Sequence, residues 1–189
     1  MRCIPPLLAS LALLVSACGG APQTSERGTR IGMSGDDTSG SGGAAASAPP
    51  AVAGSVELAL RLPDGAFIDV GELRGRPVML FLFATFDAVS QMMLRPLEAF
   101  HAAHPEVDLI GVATQPDARL LIDAYVHALS PSFPVAYDPE ESLPGDDTVL
   151  GPIEAIPALV LLDARGVVVA RRYGFVEPPD IEAMLGAAH

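Results

Sequence analysis

Asp87 and Ser90 stand three residues apart in the run Phe83-Ala84-Thr85-Phe86-Asp87-Ala88-Val89-Ser90, where a strand-like apolar stretch passes into a helix-like one. A carboxylate at a helix start accepts backbone N–H groups as an N-cap, and a Ser three residues on supports such a cap. The other use of Ser90 is as a nucleophile, which needs a base within hydrogen-bond reach. His101 and His104 lie 11 and 14 residues further along the same helix, His127 belongs to another helix, and His189 is terminal. At 1.5 Å per residue the first two are about 16 to 21 Å away along the axis. Ser hydrolysis therefore has no base to draw on, and helix capping is the expected role of the pair.

Other side chains with metal or redox chemistry are no better placed. Met92 and Met93 are soft sulfur ligands, but adjacent helix positions do not face each other. Met93 is expected in the core and Met92 at the rim. Glu140-Glu141 and Asp146-Asp147 lie in an acidic stretch, 138–147, without the ligand order of a calcium loop. It reads as a solvated loop, and neither a metal nor another cofactor is expected.

The two cysteines, Cys3 and Cys18, sit near the start of the chain. Arg2 makes a short basic n-region, and Leu7 to Val15 is an apolar run too short to span a bilayer, which takes about 20 residues. Val15-Ser16-Ala17-Cys18 then closes it with small residues before a cysteine. This pattern resembles a bacterial lipoprotein signal. The resemblance implies that residues 1–17 are removed and that Cys18 is acylated, anchoring the chain to a membrane of the cell envelope and facing the periplasm. Gly19-Gly20 does not match an inner-membrane retention signal, and the sequence does not choose between inner and outer membrane. With Cys3 removed and Cys18 blocked, the mature chain has no thiol and no disulfide.

Composition bounds the partners. The chain has 189 residues, 50% of them hydrophobic, a net charge of −12, and Arg as its sole basic residue type apart from His. That suits one domain with a core. An acidic surface argues against nucleic acid and against an anionic membrane face as direct partners.

The elements that hold Asp87 and Ser90 follow from the hydrophobic pattern. Residues 18–54 are rich in Gly, Ala, Ser and Pro with no apolar period, so they read as a flexible tether with a typical span of about 30–36 Å. The domain is expected over 55–189. Val56, Leu58, Leu60 and Leu62 alternate with polar or small residues, a strand period. Pro63-Asp64-Gly65 is a turn, and Phe67 to Val70 a second short strand. Val78 to Phe83 and Val107 to Ala113 are continuous apolar runs of the kind buried on both faces. A helix is expected from about Asp87 to His104, kinked by Pro96. A second runs from Asp117 to Leu129 with Leu120, Leu121, Ala124, Tyr125 and Ala128 facing inward. Phe133 to Tyr137 is a short extended piece. Ala158 to Leu162 and Val167 to Tyr173 flank a hairpin signal at 163–166, and Asp180 to Ala187 makes a last helix.

Leu62-Pro63-Asp64-Gly65 with Leu73-Arg74-Gly75-Arg76-Pro77-Val78, then Phe83-Ala84-Thr85-Phe86, Pro134-Val135-Ala136-Tyr137-Asp138-Pro139 and Ile156-Pro157-Ala158-Leu159, occur in the order and spacing of a known family. The chain resembles the thioredoxin-like superfamily in its TlpA/ResA or peroxiredoxin-like (redoxin) form, over about Leu58 to Gly174. The implied fold is α/β, a central mixed β-sheet flanked by helices with an N-terminal β extension.

The match also defines a departure. Asp87 and Ser90 stand where the family carries its two C-x-x-C cysteines, and thiol–disulfide exchange needs an attacking sulfur. The resemblance further implies a cis Ile156–Pro157 bond with an unpaired backbone edge beside the helix start, where an extended peptide can pair. The sequence therefore points to a tethered, redox-inactive lipoprotein. Its expected protein- or peptide-binding face is Phe86, Asp87, Ala88, Val89, Ile156 and Pro157. Two alternatives stay open: a divergent thiol–disulfide oxidoreductase or peroxiredoxin-like enzyme using partner thiols, and Sco-like copper handling, which in that family uses two Cys and a His.

Overall fold

Val78 to Phe83 is apolar at every position and buried at every position, and it forms an interior strand of a seven-stranded sheet. The computed structural model describes residues 54–143 and 145–188. The signal, Cys18 and nearly all of the tether expected from the sequence lie outside them. In chain order the strands are β1 (Ala59–Arg61), β2 (Phe67–Asp69), β3 (Val78–Phe83), β4 (Asp108–Ala113), β5 (Val135–Tyr137), β6 (Ala158–Leu162) and β7 (Val168–Tyr173). The helices are α1 (Ala88–Ala103), α2 (Ala118–Leu129) and α3 (Pro178–Leu185), and Val70–Leu73 forms a single 3-10 turn.

The sheet order is β2-β1-β5-β4-β3-β6-β7. β5, β4 and β3 run parallel, joined through the α1 and α2 crossovers. The β6–β7 hairpin adds antiparallel on one edge, and the β1–β2 hairpin adds antiparallel on the other as the N-terminal extension. The expected mixed sheet is thus present. The 163–166 turn closes as its sequence suggests. Gly166 takes φ 82°, which a side chain would oppose, and the Asp163 carboxylate accepts the Arg165 and Val167 N–H groups.

Alternating side chains build two cores, one on each face. Met79, Phe81 and Phe83 join Met93, Leu97 and Phe100 of α1, Ile122 and Tyr125 of α2, and Ile181 and Met184 of α3. Val78, Leu80 and Leu82 face Val56, Leu58, Leu60, Leu143 and Leu150. The three helices therefore cover one face. The N-terminal segment and the long loop before β6 cover the other.

Three sequence expectations need correction. The inward side of α2 is Ala118, Ile122 and Tyr125, whereas Leu120, Leu121, Ala124 and Ala128 are exposed. α2 is apolar on more than one side, and the Tyr125 ring's contact with Phe83 (5.0 Å between centroids) selects the face that packs. α3 begins two residues earlier than expected, because Pro178 and Pro179 suit the first helical turn, where no N–H is needed. Asp138 is not part of a solvated loop: it is buried and accepts the N–H groups of Glu140, Ser142 and Leu143. Glu140, Glu141, Asp146 and Asp147 are exposed, as expected. Pro96 lies inside α1, which continues on both sides of it.

Candidate functional site

β3 delivers the chain to Ala84 at full burial, and the turn 84–87 then lifts it to the surface, closed by the Asp87 N–H on the Ala84 carbonyl at 3.1 Å. Asp87 is the N-cap of α1. Its Oδ2 accepts the Ser90 N–H at 2.7 Å and the Ser90 hydroxyl at 2.7 Å. The Ser90 hydroxyl, then its amide, hold the Asp87 carboxyl below the ordinary carboxylate range. Ser90 is fully buried, so its hydroxyl is spent on the cap and is not presented to a substrate.

The histidines near the far end of α1 serve other contacts. His104 Nδ1 pairs with Glu106 at 2.8 Å and Nε2 with Glu182 at 2.7 Å, and its ring stacks on Phe100. His101 sets its ring edge-on to Phe133. Met93 is in the core, where its Sδ accepts the Val176 N–H at 3.3 Å, while Met92 is 62% exposed. The two sulfurs occupy separate environments, as adjacent helix positions require.

The structure brings Phe86 and Ile156 together. Phe86 is 73% exposed and Ile156 40% exposed, and both line one apolar cleft of about 360 Å³ at the carboxyl ends of β3 and β4. Ala88 is exposed and Val89 half-buried in the first turn of α1; neither lines the cleft. Pro157 is buried behind it, the Ile156–Pro157 bond is cis, and the Pro157 carbonyl accepts the Gly174 N–H at 2.7 Å. Among the described residues, Ala155 and Ile156 make no backbone hydrogen bond and stand outside the β6 ladder, whose pairing starts at Ala158.

Sequence reasoning missed the other wall: Thr114, Gln115, Pro116, Ile153 and Ala155. A signal for the first three exists, since the carboxyl ends of parallel strands are where such sheets bind ligands. Gln115 is a buried clamp. Its Nε2 donates to the Thr85 hydroxyl at 2.9 Å and its Oε1 accepts the Thr85 N–H at 3.3 Å. Gln91 holds the Thr85 carbonyl from the other side at 3.1 Å. These bonds fix the segment that carries Phe86.

The arrangement offers an apolar cleft, an unpaired stretch of backbone at Ala155–Ile156 and a carboxylate already engaged. Among the described residues it holds no sulfur nucleophile, and the carboxylate that accepts the Ser90 hydroxyl caps the helix over a serine buried from substrate.

No protein-family model and no curated protein matches the chain. Solved structures do. MTB DsbF, in mixed oxidized and reduced forms, is 23% identical with a TM-score of 0.61, over 73% of this chain and 99% of that one. The fold is thioredoxin-like. A thiol:disulfide interchange protein of the DsbE type from Chlorobium tepidum aligns at 20% identity and TM-score 0.58, over 74% and 99% of the two chains. The pneumococcal exposed lipoprotein thioredoxin from Streptococcus pneumoniae aligns at 17% identity and TM-score 0.58, over 69% and 98%. On this thioredoxin-like fold, the chain carries Asp87 and Ser90 where its sequence resemblance places the two redox cysteines.

Proposed function

We propose that this protein is a non-catalytic, membrane-tethered thioredoxin-fold lipoprotein whose Phe86–Ile156 cleft binds an extended segment of a protein partner. One observation carries the reading. The cleft and the unpaired Ala155–Ile156 backbone are in place beside the α1 start, while the polar positions at that start are occupied by a self-satisfied Asp87–Ser90 pair. A partner strand would pair with the free edge and bury an apolar side chain between Phe86 and Ile156, the geometry of β-strand addition.

In this reading residues 1–17 are the signal, Cys18 carries the lipid, 18–54 are the tether and 55–189 the binding domain. The protein faces the periplasm from either membrane of the envelope. The lipobox-like Val15-Ser16-Ala17-Cys18 supports the anchor, and the Streptococcus pneumoniae neighbour, described as an exposed lipoprotein, is consistent with it.

The test is cross-linking in intact cells expressing the full chain, comparing wild type with Phe86→Glu and Ile156→Glu. Both positions are exposed, so the fold should tolerate them. We expect a discrete cross-linked partner that both substitutions remove. An unchanged cross-linked set would place the binding face elsewhere.

A further inference from the structure

β4 pairs with β3 along its whole length but lacks a neighbour on its β5 side along the first half, and a proline is the reason. The Asp108 N–H donates to the Pro77 carbonyl and the Thr114 N–H to the Phe83 carbonyl. Even-numbered residues of β4 therefore turn their backbone groups toward β3, and odd-numbered ones turn away from it. The Gly111 N–H accordingly donates to the Pro134 carbonyl at 2.9 Å on the β5 side. One step earlier the ladder would continue with the N–H of residue 134 on the Leu109 carbonyl. Pro134 has no N–H, and pairing with β5 begins at Gly111 and Val135. Leu109 is 1% exposed, and among the described residues its N–H and C=O have no backbone partner on that side.

The gap is a cavity of about 280 Å³ in the plane of the sheet. Its walls come from both core faces: Leu109 belongs to one and Ile110 to the other, with Ile68, Leu73 and Pro134 completing the apolar lining. His101 also lines it, and its Nδ1 is buried with no hydrogen-bond partner. A buried polar atom left unpaired costs about 1–3 kcal/mol, so three such groups around one cavity define what should fill it.

The donor and acceptor of a single strand residue are matched by one residue of another extended chain, which exchanges both bonds. The apolar walls select an aliphatic side chain. Asp108 lines the cavity, with Arg76 3.4 Å from its carboxylate, and Asp69 and Glu72 adjoin Ile68 and Leu73. Arg76 and Arg74 offset these rim acids, and the net charge of −12 on the chain as a whole favours a basic neighbour to the aliphatic residue.

We propose that this slot receives an extended segment of a partner polypeptide, an aliphatic residue flanked by arginine, which adds to β4 beside Leu109. The slot is at the amino end of β4 and the Phe86–Ile156 cleft at its carboxyl end, about 17 Å apart from Leu109 to Thr114 at strand rise. The two sites are independent.

The probe is acetyl-Arg-Val-Leu-Val-Arg-amide, titrated into the full chain and followed by amide hydrogen exchange and histidine NMR signals. Binding should slow exchange at Leu109 about tenfold or more and shift the His101 ring resonances. N-methylation of the central leucine keeps the side chains but removes a donor, and should weaken binding at least about tenfold. Leu73→Glu and Ile68→Glu should each do the same, with some loss of melting temperature because both side chains pack against the core, and Phe86→Glu should bind as wild type. Three outcomes would overturn the proposal: no binding at roughly millimolar peptide, equal binding of the N-methylated peptide, or loss in Phe86→Glu with retention in Leu73→Glu. The N-methylated arm uses unaltered protein, so it decides even if a substituted chain misfolds.

Discussion

Asp87 takes two hydrogen bonds from Ser90 on one carboxylate oxygen, and Ser90 is buried. A thiolate at a helix start is stabilised by the same N–H groups and dipole, so the position suits an anion whether or not it reacts. This explains how the scaffold accommodates Asp there. Asp87→Ala should destabilise the chain by about 1 kcal/mol, read from urea unfolding, and Asp87→Asn by only a few tenths because it still accepts an N–H. The Asp87 carboxyl is held below its ordinary value. Its contribution is therefore present above the unfolded value, about 3.9, and lost as pH falls through the folded one. The gap between wild type and Asp87→Ala should close in acid. A gap that persists unchanged at low pH would show that the carboxylate is not the cap. The cap was legible in the sequence, because its logic is local. The burial of Ser90 was not, because it depends on what the sheet places over the helix start.

α1 and α3 are joined by His104, which bridges Glu106 after α1 and Glu182 on α3. The hydrogen bond to Glu106, with the Glu182 carboxylate adding, raises the His104 pKa above its ordinary value. For a raised group the stabilisation is complete below the unfolded value, about 6.5, and is lost as pH rises through the folded value. The difference in melting temperature between wild type and His104→Gln should thus be largest near pH 6 and shrink toward alkaline pH. The side chain is partly exposed, so the effect should stay below about 1 kcal/mol. A difference that grew with pH would contradict the bridge. At this scale strands and helices were readable where one pattern dominated: Val78 to Phe83 is apolar throughout and is β3 to the residue. α2 was misread on its inward face because Leu120 and Leu121 offer an apolar alternative that only the contact with Phe83 rejects. The slot beside Leu109 was also illegible, since it depends on the register of β5 against β4.

The whole molecule combines a thioredoxin-like sheet, a helix layer on one face and an apolar cleft where the parallel strands end. Only two residues of that cleft were legible: Phe86 and Ile156 came from family resemblance, while Thr114, Gln115, Pro116, Ile153 and Ala155 became visible through the fold that gathers them. The central claim is that the scaffold is retained and its reacting sulfurs are absent. The most direct measurement is dithiothreitol-driven insulin reduction by the full chain, wild type beside the double variant Asp87→Cys, Ser90→Cys. The account predicts the blank rate for wild type and a clear acceleration for the double variant, whose new thiol at position 87 would sit at the α1 N-terminus. Wild-type turnover above the blank would contradict the claim of a non-catalytic protein, and an inert, folded double variant would contradict the claim that only the thiols are missing.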